Sequence, residues 1–288
     1  MSGSTAGIGD VRTDPDLCYA THDGVALFGD LYRPPASRPS PVVISIPGGG
    51  WRVGSRVELA DWSPYLARHG FAVFAIDHRR TTAGKMFPEA VHDVAGAMRF
   101  VQRNAEAWGV DPERLILMGS SAGAHLASLA ALAGERFDPL AGSPGLPKAA
   151  AMVLAYGVYD LVKQWQHGLV LNQPPGEDRQ TRFLGATPYD DPDLYHLASP
   201  IRHVTYRRNQ IKTLLIWGDH DEVVPCSQSL EFLAALQQAR FPVTTCPVAG
   251  AGHFWFNQEP IGEPGSFSGF TAPRVLRFLQ RAFPAKKD

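Results

Sequence analysis

Along the 288 residues, short β-branched and aliphatic runs alternate with longer stretches of helical period. The runs are LCYAT from Leu17, VALFGDLYR from Val25, VVISI from Val42, FAVFAI from Phe71, LILMG from Leu115, AMVLAY from Ala151, TLLIWG from Thr213 and VTTCPV from Val243. They predict about eight strands, the first two forming a hairpin that turns at Asp23-Gly24. Between them, the segment after Pro88 carries Val91, Val94, Met98 and Val101 on one face, and a proline suits the first turn of such a helix. Pro225 opens a second helix through Leu230, Leu233 and Leu236, and Val275 to Phe283 closes the chain. Runs alternating with helices are the signature of a mostly parallel sheet covered on both faces, an α/β architecture without a large cap domain. Residues 163 to 185, KQWQHGLVLNQPPGEDRQTRFLG, are less regular, and Pro174-Pro175-Gly176 marks a long excursion near the strand ends that can serve as a small lid. Residues 1–15, small and polar, read as a flexible N-terminal segment, and 16–288 as a single domain.

Charge and composition narrow the partners. Lys and Arg number 27 against 28 Asp and Glu, a formal net charge of -1, so nothing steers the chain toward nucleic acid or an anionic membrane. No apolar run approaches the roughly 18 residues of a membrane span, and the N-terminus lacks the apolar core of a signal peptide. The expectation is a cytoplasmic protein, monomer or homodimer, with a small-molecule partner. Cys18, Cys226 and Cys246 are too few and scattered for a disulfide framework and are read as reduced, mostly buried thiols. No HExxH and no His/Asp cluster at ligand spacing supports a metal, and no cofactor is expected.

The most informative words are LILMGSSAGAHLA, residues 115 to 127. Gly119-Ser120-Ser121-Ala122-Gly123 matches G-x-S-x-G directly after a strand and directly before a helical, alanine-rich run. A serine hydroxyl is a poor nucleophile unless held exposed beside a base, and a sharp strand-to-helix turn presents it that way. Ser121 stands at the centre. Such a serine requires an acid and an imidazole later in the chain, in that order. After TLLIWG comes GDHDEVVP, with Asp219, Asp221 and Glu222. Asp221 is the preferred acid, because it stands far enough from the strand to reach a neighbouring loop, and Asp219 is its competitor. The last strand is followed by AGAGHFWF, which places His253 on a glycine-punctuated loop. His125 lies one helical turn below Ser121 and is read as packing behind the turn. His220 is read as solvated, and His78, His92, His196 and His203 as structural or surface groups.

The stretch ISIPGGGWRVGS, residues 44 to 55, offers bare backbone after an early strand. Neither G-x-x-x-x-G-K-[ST] nor G-x-G-x-x-G with its acidic partner is present, so a phosphate cradle is unsupported. A serine hydrolase needs preorganised N–H donors for a tetrahedral oxyanion, supplied by such a loop and by the residue after the nucleophile. The amides of Gly49, Gly50 and Ala122 are assigned that role, each lowering the barrier by about 3 kcal/mol by analogy with a measured oxyanion donor.

Together these residues resemble the α/β-hydrolase superfamily over nearly the whole chain. They are most similar to the small esterases that carry H-G-G-G-W: the hormone-sensitive-lipase-like group, bacterial feruloyl and acetyl-xylan esterases, and kynurenine formamidase. The matching words are PGGGW at 47 to 51, DHRR at 77 to 80, GSSAGAHLA at 119 to 127, SPI at 199 to 201, GDHDEVVP and GHFW. The resemblance implies an α/β-hydrolase fold, with Ser121, Asp221 and His253 as triad and Gly49, Gly50 and Ala122 as oxyanion donors. Two words depart from the pattern. Pro47 stands where the family has histidine, and DHRR replaces the usual Asp-Tyr-Arg; Asp77 and Arg79 are expected to pin loops by a salt bridge.

These readings converge on two-step acyl transfer from a carboxylic ester of a small or aromatic substrate. Trp51, Tyr156, Trp165, Phe254 and Trp255 fall on loops at the predicted catalytic edge and are expected to line its cleft. An arylformamidase is the nearer rival, since one triad cleaves either bond, and a non-catalytic binding module on the same scaffold is the more distant one.

Overall fold

The computed structural model describes residues 10–22, 24–35, 39–138, 145–171 and 177–284. Asp23 of the expected hairpin turn, Pro174-Pro175-Gly176 and residues 1–9 lie outside them. All eight runs are strands: β1 (Arg12–His22), β2 (Val25–Arg33), β3 (Ser40–Ile46), β4 (Ala72–Ile76), β5 (Val110–Ser120), β6 (Ala151–Ala155), β7 (Lys212–Gly218) and β8 (Val243–Val248). They form one sheet in the order β1-β2-β4-β3-β5-β6-β7-β8. β1 and β2 join antiparallel, and every pairing from β4 onward is parallel. β1 begins at Arg12, inside the segment read as an N-terminal tail.

The central strands are buried along most of their length, because helices cover both faces. Successive residues therefore serve two cores. Val42, Ile44, Leu115 and Leu117 face one cluster, while Val43, Ile116 and Met118 face the other. In chain order the helices are α1 (Trp62–Arg68), α2 (Glu89–Trp108), α3 (Ala122–Ala133), α4 (Leu161–Val170), α5 (Arg179–Leu184), α6 (Pro192–Ala198), α7 (Ser227–Gln238), α8 (Trp255–Gln258) and α9 (Phe267–Ala282). α2 buries Val91, Val94, Met98 and Val101 as its period predicts. α7 turns differently from expectation: Phe232 and Leu236 are buried, but Leu230 is exposed. The excursion at 163–185 is also more regular than its prolines suggested. α4 and α5 occupy most of its described part, each started by an aspartate whose carboxylate accepts a backbone N–H, Asp160 from Lys163 and Asp178 from Thr181.

Of the cysteines, all free, only Cys246 is fully buried and Cys18 is exposed, correcting the expectation of mostly buried thiols. The DHRR word does pin loops, but not by a bond between its own members. Asp77 accepts from Arg56 at 2.5 Å, and Arg79 pairs with the buried Asp93 at 2.8 Å.

Candidate active site

Register brings the relevant turns together. Ile46 pairs with Gly119 across β3 and β5, and Ser120 pairs with Ala155 across β5 and β6. The glycine turn after β3, the serine turn after β5 and the loops after β6, β7 and β8 thus share the carboxyl edge of the sheet, where open α/β sheets hold their ligands.

Ser121 sits at φ 52°, ψ -120°, a conformation rarely adopted by a non-glycine residue. It is held there from both sides: its N–H donates to Ala155 at 2.9 Å, and its carbonyl accepts from His125 at 3.0 Å. The flanking glycines provide room. A Cβ on Gly119 would lie 2.4 Å from the Gly123 carbonyl carbon, and one on Gly123 would lie 2.2 Å from the Ile46 oxygen. The turn so presented meets an imidazole. His253 Nε2 accepts from the Ser121 hydroxyl at 3.0 Å, and its Nδ1–H donates to Asp221 Oδ2 at 2.6 Å. The other Asp221 oxygen accepts the amides of Val223 and Val224, both at 2.9 Å, which orients the carboxylate. Its competitor Asp219 accepts from the Gly250 amide at 2.6 Å and holds the histidine loop instead. The His253 ring lies between Tyr156 and Phe254, with ring centroids 4.4 and 4.5 Å away.

The glycine turn lies against the serine: a Cβ on Gly48 would be 3.6 Å from that of Ser121. Gly49, Gly50 and Trp51 are all left-handed, at φ 93°, 60° and 57°. Side chains hold this turn. The Trp51 indole donates to His125 Nδ1 at 3.1 Å, and His125 Nε2–H donates to the Ala198 carbonyl at 2.8 Å. Burial keeps that imidazole neutral, pushing it down to about 4. His125 therefore packs behind the turn, as its spacing predicted. Arg80 donates to the Gly54 carbonyl at 3.2 Å, and the Gly48 amide donates to the half-buried Glu58, whose carboxyl burial pushes up. Glu58 was not singled out by the sequence; no motif marks it.

The aromatic residues expected to line a cleft need correction. Trp51, Tyr156, Trp165 and Trp255 are only 1, 1, 5 and 3% exposed, and Phe254 alone reaches 39%. Trp51 belongs to the core through His125 and a stack on Phe183 at 4.7 Å. Trp165 packs edge-on to Tyr189, and Trp255 sits among Tyr156, Phe256 and Phe267. Tyr156 touches the His253 ring from below the surface. Among the described residues, no group of three or more His, Cys, Asp or Glu could hold a metal ion, and no helix is long and apolar enough to cross a membrane.

A family model described as BD-FAE matches residues 29–236. The chain belongs to the BD-FAE family. This BD-FAE member is 32% identical over 219 residues to the esterase LipQ of Mycobacterium tuberculosis, covering 73% of the chain and 49% of LipQ. It is 31% identical to the probable carboxylic ester hydrolase LipM of the same organism, covering 95% of the chain and 62% of LipM. It thus spans about half to three-fifths of the length of these relatives. Among solved structures, Thermogutta terrifontis esterase 2, phosphoramylated by tabun, superposes with a TM-score of 0.77 at 22% identity, covering 98% of both chains. That likeness establishes the α/β-hydrolase fold.

Proposed function

We propose that this chain hydrolyses carboxylic esters of small molecules through an acyl-enzyme formed on Ser121. The observation that carries the reading is the hydrogen-bonded line from Ser121 Oγ through His253 to Asp221, three residues far apart in sequence. Similarity to LipQ and LipM, both named for ester hydrolysis, adds to it. In this reading His253 Nε2 takes the Ser121 proton as Oγ attacks the carbonyl carbon, and Asp221 stabilises the imidazolium. The tetrahedral oxyanion is held by the amides of Gly49, Gly50 and Ala122. The last is a first-turn helix amide with no intrahelical acceptor, at the positive end of α3. His253 then returns the proton to the leaving alkoxide, and water, activated by the same imidazole, releases the acid.

The test combines fluorophosphonate labelling with turnover of 4-nitrophenyl esters over a range of acyl lengths. Wild-type protein is expected to be labelled at residue 121. Ser121→Ala should lose labelling and about 10⁶-fold in kcat, Asp221→Asn about 10⁴-fold, and Asp219→Asn less than tenfold. Unlabelled wild-type protein, or full turnover by Ser121→Ala, would overturn the reading. Faster turnover of aryl formamides than of aryl esters would make the chain an amidase with the same triad.

A further inference from the structure

The roof of the glycine turn is α5, and two residues one turn apart on that helix contact two consecutive residues of the turn. Phe183 stacks on Trp51, with planes 12° apart. Arg179 lies over Gly50: a Cβ built there would be 2.8 Å from Arg179 Cδ and 3.4 Å from its Nε. The helix bearing Arg179 is fixed in place. Asp178 accepts from the Thr181 amide and hydroxyl at 2.8 and 2.7 Å, and the Met86 amide donates to the Phe183 carbonyl at 3.0 Å.

Several arginines of the fold are neutralised by carboxylates, and Arg179 is not among them. Arg56 is shared by Asp16, Asp30 and Asp77, Arg79 pairs with Asp93, and even Arg182, on the same helix, lies 4.0 Å from Glu177. Among the described residues no carboxylate pairs with Arg179, which is exposed. The turn beneath adds Arg52, also exposed, and Arg80 donates to it at Gly54, while Glu58, which follows the turn, is half-buried and engaged by the Gly48 amide. A planar guanidinium with free donors, on a rigid helix and beside a candidate oxyanion donor, is built to receive a carboxylate in bidentate fashion.

Resting on the ester-hydrolase reading, we propose that Arg179 is a specificity residue of the same site. It binds a carboxylate carried by the substrate, so the preferred substrates are half-esters of dicarboxylic acids rather than neutral esters. A purely structural role, in which the aliphatic stem shields Gly50, would leave charge preference unaffected.

The test is the ratio of kcat/KM for mono(4-nitrophenyl) glutarate to that for 4-nitrophenyl pentanoate, which match in acyl length. Wild-type protein is expected to favour the charged ester at least tenfold, mostly through KM, with the preference shrinking as salt screens the pair. Arg179→Gln should bring the ratio to about one, and Arg179→Lys should restore part of it. In Ser121→Ala protein, calorimetry with the two esters should show the same preference in Kd. A wild-type ratio near or below one, or a ratio unmoved by Arg179→Gln, overturns this inference while leaving ester hydrolysis standing. Failure to turn over either ester overturns the hydrolase reading, and the calorimetric preference then decides the role of Arg179 separately.

Discussion

The serine turn and the glycine turn stand side by side at one sheet edge, both rich in glycine, yet different forces hold them. In the serine turn the glycines are dictated by space. Gly119 and Gly123 have ordinary dihedrals, but backbone atoms stand 2.4 and 2.2 Å from where their side chains would begin. In the glycine turn a dihedral requirement is added to the spatial one: Gly49, Gly50 and Gly54 all have positive φ, and a Cβ on Gly49 would also lie 2.3 Å from the Val53 oxygen. That turn is then fixed from outside by Trp51, Glu58, Arg80 and α5. Backbone contact sets the conformation at Ser121, and in the glycine turn side-chain partners are added to such contact. The first resists change; the second can be adjusted residue by residue.

The comparison can be broken most severely at Gly123. Gly123→Ala should cost about 3 kcal/mol or more, because β3 and α3 must move apart to admit the methyl group, and urea unfolding would measure it. Gly96→Ala, inside α2 with its nearest neighbour at 3.9 Å, should instead stabilise by about 0.5–1 kcal/mol through helix propensity. Equal effects at the two sites would refute the spatial argument. A smaller effect is expected at Trp51. Trp51→Phe keeps a ring on Phe183 but removes the indole donor to His125 Nδ1, costing about 1–3 kcal/mol. It should also lower kcat for 4-nitrophenyl esters roughly tenfold or more as the turn loosens; unchanged kcat would mean the turn holds without this bond.

The mildest prediction concerns acid. His125 is held down to about 4 by burial, against roughly 6.5 in the unfolded chain. Between those values the unfolded state binds a proton that the folded state does not, so stability falls as pH falls through that window. The contribution is complete above pH 6.5 and changes by on the order of 1 kcal/mol per pH unit below it. The stability difference between wild-type and His125→Gln protein should accordingly shrink as pH drops from 6.5 to 4. A constant difference would show that this imidazole titrates alike in both states.

The sheet was legible because strands buried on both faces must be mostly apolar there, as the runs VVISI, LILMG, AMVLAY and TLLIWG are. The meeting of Ser121 with Asp221 and His253 was legible because a nucleophilic serine would demand particular residue types at strand ends. What failed was direction. An aromatic residue on a loop carries no mark of whether it points inward, and Trp51, Tyr156, Trp165 and Trp255 all do. Asp77 and Arg79 take Arg56 and Asp93 as partners in place of each other, a choice that tertiary packing makes and their spacing does not show. β1 starts earlier than expected because RTDPD, at the sheet margin, buries too little to show an apolar pattern. The starts of α4 and α5 could have been found from Asp160 and Asp178, whereas the position of Arg179 over Gly50 depends on tertiary packing that no spacing encodes.

The sheet order has a consequence for solubility. Its two outermost strands each contain a proline, Pro15 in β1 and Pro247 in β8, and β1 is further broken by register shifts near Asp14 and Cys18. A proline presents no N–H to an incoming chain, and a shifted ladder cannot be matched by a straight one. Foreign or sibling strands would therefore meet interrupted margins on both sides, which disfavours aggregation by strand addition while the interior pairing stays complete.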